Sequence, residues 1–164
     1  MNKQSFIKIL LTVLMSMTGA KAFAYDIFAK NDDGVTIYYV WTNNKTELAV
    51  SYDGYYRNSR SYSGNVVIPE FVKYGDETYK VTSINESAFY GCGGLTSVTI
   101  PNSVKYIGYQ SFYDCGGLTT VNFPNSLIGI GENAFMGTAW YNNQPNGLIY
   151  AGKLAYIYKG EMKR

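Results

Sequence analysis

Three consecutive segments of the chain repeat with a period of 23 residues, and that repeat decides what the chain can fold into. VTSINESAFYGCGGLTSVTIPNS (81–103) runs directly into VKYIGYQSFYDCGGLTTVNFPNS (104–126), and LIGIGENAFMGTAWYNNQP opens a third copy at Leu127. Val81/Val104/Leu127, Ile84/Ile107/Ile130 and Phe89/Phe112/Phe135 recur in all three copies. Cys92/Cys115, Leu95/Leu118, Val98/Val121, Ile100/Phe123 and Pro101/Pro124 recur in two. A coil of 23 residues cannot bury its apolar side alone, but copies stacked on one another can. The period therefore predicts stacked rungs about 4.8 Å apart, the spacing of paired strands.

Inside each unit the apolar spacing L-x-x-V-x-[IF] matches the core of a leucine-rich repeat. On a short strand Val98 and Ile100 point one way and Ser97 and Thr99 the other, and Val121 and Phe123 stand in the same relation to Thr120 and Asn122. Proline then ends the strand, because it has no N–H for a ladder. A second apolar set brings the chain back across the core, with small Ala88, Ser111 and Ala134 beside the large Phe89, Phe112 and Phe135. Asn85, Gly108 and Gly131 share one repeat position, and all three tolerate a left-handed backbone, so positive φ is predicted there. Gly93-Gly94 and Gly116-Gly117 mark a tight corner before each strand. Helix should be scarce, limited to short turns around 86–89, 110–112 and 132–135.

The strings ESAFYGCGGLTSVTIPNSV and QSFYDCGGLTTVNFPNSL resemble the BspA-like leucine-rich repeat family of bacterial surface proteins. GNVVIPEFVKYGDETYKVTSI resembles the entry to such arrays, with Val67-Ile68-Pro69 repeating the strand ending and a hairpin insertion before the first regular repeat. GTAWYNNQPNGLIYAGKLAYIYKG resembles a segment that interrupts or ends them. The resemblance implies a secreted or surface-displayed binding protein, since members are implicated in contacting host matrix proteins and other bacteria. The chain departs from the family in stopping soon after its third repeat, where members commonly carry many more.

The flanks read differently. MNKQSFIKILLTVLMSMTGAKAFA has a basic start, a short apolar run and a small-x-small ending at Ala22-Phe23-Ala24. This is the form of a secretory signal peptide, with cleavage expected after Ala24. The apolar run is shorter than the roughly 18–20 residues that span a bilayer. From 25 to 63 the pattern has period two: VTIYYVW, a turn at Asn43-Asn44, then Leu48, Val50 and Tyr52 alternating to Asp53-Gly54 predict a β-hairpin over one end of the stack. Residues 148–150 and 154–158 flank Ala151-Gly152-Lys153 as a second hairpin, and Lys159, Lys163 and Arg164 would discourage association at that end. The expected organisation is a signal peptide (1–24), an N-terminal β-hairpin cap (25–63), the repeat solenoid (64–147) and a C-terminal hairpin and tail (148–164). The fold class is β-rich: a right-handed leucine-rich-repeat solenoid of about three rungs with β-hairpin caps.

Composition narrows the chemistry. The chain of 164 residues has no histidine, which removes Ser-His-Asp and Cys-His nucleophilic sites and His-containing zinc sites. Loss of the leader takes Lys3, Lys8 and Lys21, leaving 11 basic against 12 acidic groups, and no basic run suggests nucleic acid. Asp32-Asp33-Gly34, Asp53-Gly54 and Gly75-Asp76 read as turns rather than as a glycosidase pair or a calcium loop. Cys92 and Cys115 stack one rung apart, either as a disulfide suited to an exported protein or as a ladder of small buried thiols. Parallel Cβ vectors and the small Thr138 at the third position favour the ladder. Asn44-Lys45-Thr46 and Asn85-Glu86-Ser87 match the N-glycosylation pattern, and the bacterial origin that the resemblance implies predicts that neither is used.

The 17 tyrosines are in excess, grouped as Tyr90, Tyr106, Tyr109 and Tyr113 on the array and Tyr52, Tyr55, Tyr56 and Tyr62 on the entry segment. Tyrosine serves equally as an interface residue or as a half-buried rung lining. The expectation is a non-enzymatic binding module without cofactor or metal that contacts an extracellular protein. Its candidate contacts are Ser97, Thr99, Thr120 and Asn122 on the strand face, with Tyr106 and Tyr109 near it. Carbohydrate binding through exposed tyrosines, or a spacer role within a longer adhesin, are the alternatives.

Overall fold

The computed structural model describes residues 25–54 and 61–160. The expected signal peptide, Tyr55, Tyr56 and the basic tail residues Lys163 and Arg164 lie outside the described residues. Two open sheets share one core. The larger runs β1 (Ile27–Lys30), β2 (Thr36–Thr42), β3 (Glu47–Ser51), β6 (Glu77–Ile84), β8 (Tyr106–Ile107) and β10 (Gly129–Ile130), with β5 (Phe71–Tyr74) paired to β6. The smaller runs β4 (Gly64–Val67), β7 (Leu95–Thr99) and β9 (Thr120–Asn122). A separate hairpin joins β11 (Gly147–Ala151) to β12 (Leu154–Lys159), and the short helix α1 (Ala139–Asn142) precedes it.

The 23-residue register appears directly in the strand pairing. Ser83 and Ile84 pair in parallel with Tyr106 and Ile107, and these with Gly129 and Ile130. Ser97, Val98 and Thr99 pair with Thr120, Val121 and Asn122. Between the sheets the chain donates hydrogen bonds to the following copy at every second residue: Ser87 N–H to Tyr109 O, Phe89 to Ser111, Gly91 to Tyr113, and likewise Gln110 to Glu132, Phe112 to Ala134 and Asp114 to Met136. The rings of Phe89, Phe112 and Phe135 are fully buried and stacked, with centroids 4.7 and 5.0 Å apart and planes 9° and 7° from parallel. Tyr62 prolongs this column at 4.4 Å from Phe89, so it lines the core rather than an interface. Its hydroxyl donates to Ser51 O and accepts from Tyr38 N–H, which ties the column to the N-terminal strands. At the other end the edges of Trp140 and Tyr156 close over Phe135.

Positive φ does not occur at Asn85, Gly108 or Gly131. It occurs two residues later, at Ser87, Gln110 and Asn133, and again at Gly91, Asp114 and Gly137. Gly108 is required for a different reason: a Cβ there would lie 2.6 Å from Glu86 N and 2.7 Å from Asn85 C on the previous copy. The repeated glycine answers to close backbone approach between copies, which a pattern of turn preferences does not distinguish from φ freedom.

The N-terminal region is a three-stranded meander rather than a single hairpin, because Ile27–Lys30 adds an antiparallel strand to β2. Its β2–β3 turn takes three consecutive left-handed residues, Asn43, Asn44 and Lys45. β3 then pairs in parallel with β6, carrying the larger sheet from the N-terminal strands into the repeats. Twelve positions separate Pro69 from Val81 where three separate Pro101 from Val104, and the extra nine residues form the β5–β6 hairpin. At the C-terminal end Lys159 is not a free solubilising charge. Its ammonium donates to the carbonyls of Tyr141, Asn142 and Gln144 at 3.2, 2.7 and 2.7 Å, caps the last turn of α1 and lies over the Tyr141 ring.

Candidate interaction surface

β4, β7 and β9 present one face to the core and one to solvent. Val66, Val98 and Leu95 are buried, while Asn65, Val67, Thr96, Thr120 and Asn122 are exposed and Ser97 and Thr99 half-buried. Strand register sets the outer residues in two columns, Asn65–Ser97–Thr120 and Val67–Thr99–Asn122. Their side chains bond one another across strands. Thr96 and Ser97 hydroxyls donate to Asn65 Oδ1 at 3.0 and 2.9 Å, and Asn122 Nδ2 donates to Thr99 Oγ1 at 3.3 Å. Residues 61–69, 91–103 and 115–131 contain no ionisable acid or base apart from Tyr62, Cys92 and Cys115, all three buried. The face is thus a neutral array of hydroxyl and amide groups with the apolar Val67 among them, in which Thr96 and Ser97 are hydrogen-bonded to Asn65 and Asn122 to Thr99.

The structure brings Ser97, Thr99, Thr120 and Asn122 together but places Tyr106 and Tyr109 elsewhere. Tyr106 lies on β8 in the larger sheet, its ring against Gly129, and Tyr109 follows β8. One strand per unit would put these tyrosines near the strand face, but each unit meets both sheets. Asn65 and Val67 belong to the surface and were missed, because β4 stands before the regular period; the signal for them was the Val67-Ile68-Pro69 ending.

Other groups have structural partners. Tyr90 and Tyr113 stack on each other at 5.3 Å, so their facing sides are covered. Cys92 and Cys115 are unbonded and buried, and Cys115 Sγ donates to Phe89 O. Burial pushes both thiols up from their ordinary range, so neither supplies a thiolate at neutral pH. Among the described residues no three of Cys, Asp and Glu gather as a metal-binding cluster, and no helix is long and apolar enough to cross a membrane.

Comparison with known proteins agrees with this geometry. The family described as BspA type leucine rich repeat region (6 copies) matches residues 77–157. A leucine-rich repeat protein from Bacteroides ovatus is similar at 28% identity and TM-score 0.55, over 70% of this chain and 33% of its own. The leucine rich repeat protein of T. pallidum is similar at 25% identity and TM-score 0.53, over 66% and 46%. A leucine rich cell surface protein from Faecalibacterium prausnitzii is similar at 26% identity and TM-score 0.52, over 68% and 28%. The matched region therefore spans less than half the length of each. No curated protein matches the chain. The family is a repeat scaffold generally used for protein interaction rather than catalysis, and the chain belongs, through residues 77–157, to the BspA type leucine rich repeat family.

Proposed function

We propose that the chain is an exported or cell-surface adhesion module, a right-handed solenoid of about three rungs between two β caps, that binds an extracellular protein through the outer face of β4, β7 and β9. The observation that carries this reading is the pre-aligned double column Asn65–Ser97–Thr120 and Val67–Thr99–Asn122. Side chains already held by one another lose little rotamer freedom on binding, so more of the contact energy is left for affinity. Because the face is uncharged, recognition rests on hydrogen bonds and shape, and affinity changes little with ionic strength. The organisation into a leader over 1–24, a cap over 25–63, a solenoid over 64–147 and a terminal hairpin over 148–164 fits export followed by display of this face.

The test is binding of the chain to immobilised host matrix proteins and to bacterial surface extract, repeated with Thr120→Ala and Thr99→Lys. Lost binding with unchanged melting supports the reading; full binding by both variants refutes it. Carbohydrate binding is the second reading, favoured by the exposed rings of Tyr106 on the other sheet and of Tyr109 just after it. A glycan array separates the two, since Tyr106→Ala and Tyr109→Ala would then abolish binding and Thr120→Ala would not. A spacer role in a longer adhesin would give no ligand in either assay.

A further inference from the structure

The two ends of the molecule carry unlike apolar surfaces. A line of ring contacts runs from Phe28 through Tyr38 and Tyr62 into the phenylalanine column and out to Tyr156. At the N-terminal end β1 is, among the described residues, the outermost strand and paired only with β2, and the Phe28 ring is 60% exposed. At the C-terminal end the β11–β12 hairpin turns Ile149 and Ala151 inward, while Leu148 at 52%, Tyr150 at 56% and Tyr158 at 47% face outward. Leu148 and Tyr158 are directly opposite across the ladder, so they form one patch. Clustered exposed apolar side chains on a small protein mark an interaction surface more often than chance.

Charge identifies the occupant. Residues 25–54 hold five carboxylates (Asp26, Asp32, Asp33, Glu47, Asp53) against Lys30 and Lys45, whereas residues 127–160, the last copy and the terminal hairpin, hold Lys153 and Lys159 against the single carboxylate Glu132. Two N-terminal ends repel and so do two C-terminal ends, while one of each attracts. We propose that the outer face of the β11–β12 hairpin docks on the N-terminal end of a second copy around Phe28, in a head-to-tail contact. Such a contact joins different surfaces, leaves a free end on each partner and extends into a linear chain of copies rather than closing as a dimer. Repeat faces on successive copies would then be presented in series along one filament.

Sedimentation velocity on the full chain tests this, with Phe28→Arg at the head and Tyr158→Glu at the tail. Both side chains are exposed, and a circular dichroism melt checks that each variant folds. The wild-type mass is expected to rise with concentration beyond that of a dimer, and to fall back in high salt. Each variant alone is expected to stay monomeric, and their equimolar mixture to form a dimer and nothing larger, because one intact tail meets one intact head. A wild-type chain that stays monomeric at all concentrations overturns the proposal and leaves these surfaces to another occupant. A closed dimer, or folded variants whose mixture stays monomeric, overturns it as well.

Discussion

Replacing Phe112 with alanine probes the stack at its centre. The ring is fully buried, with Phe89 at 4.7 Å on one side and Phe135 at 5.0 Å on the other. Truncating a core phenylalanine costs about 3–5 kcal/mol, and the cost is greatest where the surroundings cannot collapse into the cavity. Here they are held on both sides: Phe89 N–H donates to Ser111 O and Phe112 N–H to Ala134 O, which fixes the spacing of the copies. Two stacked pairs are lost as well, each worth about 0.5–1.5 kcal/mol beyond its burial. The upper end of the range, about 5 kcal/mol, is therefore expected, against a total stability of about 5–15 kcal/mol for a domain. Urea unfolding followed by far-ultraviolet circular dichroism measures this as a lower midpoint at unchanged slope. In a thermal melt the same loss lowers Tm by about 15–20 °C. Thr120→Ala on the outer face is the control and should stay within about 0.5 kcal/mol of the wild type. A loss below about 2 kcal/mol for Phe112→Ala would refute the reasoning, because a ring so easily spared is not clamped between two others.

Three further outcomes follow from the same geometry. Gly108→Ala should cost about 1–3 kcal/mol through backbone overlap with Asn85 and Glu86, measured by chemical denaturation; an unchanged midpoint contradicts the close approach. Lys159→Met keeps the aliphatic stem but takes the ammonium from the carbonyls of Asn142 and Gln144, while Tyr141 O keeps the Gln144 N–H, and should lower stability by about 1 kcal/mol in the same assay. Burial raises the pKa of Tyr39, Tyr62, Tyr156, Cys92 and Cys115 in the folded chain. The unfolded chain therefore releases these protons first as pH rises. Stability should be full below about pH 9 and fall above it, by up to about 1.4 kcal/mol per pH unit for each group, and a flat profile from pH 8 to 11 contradicts the burial.

The repeat was legible because it is written in large side chains. Phe89, Phe112 and Phe135 recur at one spacing, and only a stack places equal spacing in one column. The outward polar set on β7 and β9 was legible for a similar reason, since period two on a short strand leaves no other face for Ser97, Thr99, Thr120 and Asn122. What could not be read was set by contacts between distant segments. Gly108 and Gly131 suggested φ freedom, but they answer to backbone on the neighbouring copy. The left-handed residues Ser87 and Gln110 carry no local preference for that conformation and are held there by the hydrogen bonds of the stack. Tyr62 gave no sign of joining the phenylalanine column, because it lies 27 residues before Phe89, outside the regular period. Lys159 looked like a surface charge because its carbonyl partners lie on another element.

The central claim is that equivalent side chains lie one above another at a 23-residue displacement. Nuclear Overhauser contacts among the ring protons of Phe89, Phe112 and Phe135, resolved by selective labelling of phenylalanine, test it most directly. Contacts are expected from Phe112 to both of the others and none between Phe89 and Phe135, which Phe112 separates. A direct Phe89–Phe135 contact, or a Phe112 ring without contact to either, contradicts the stack.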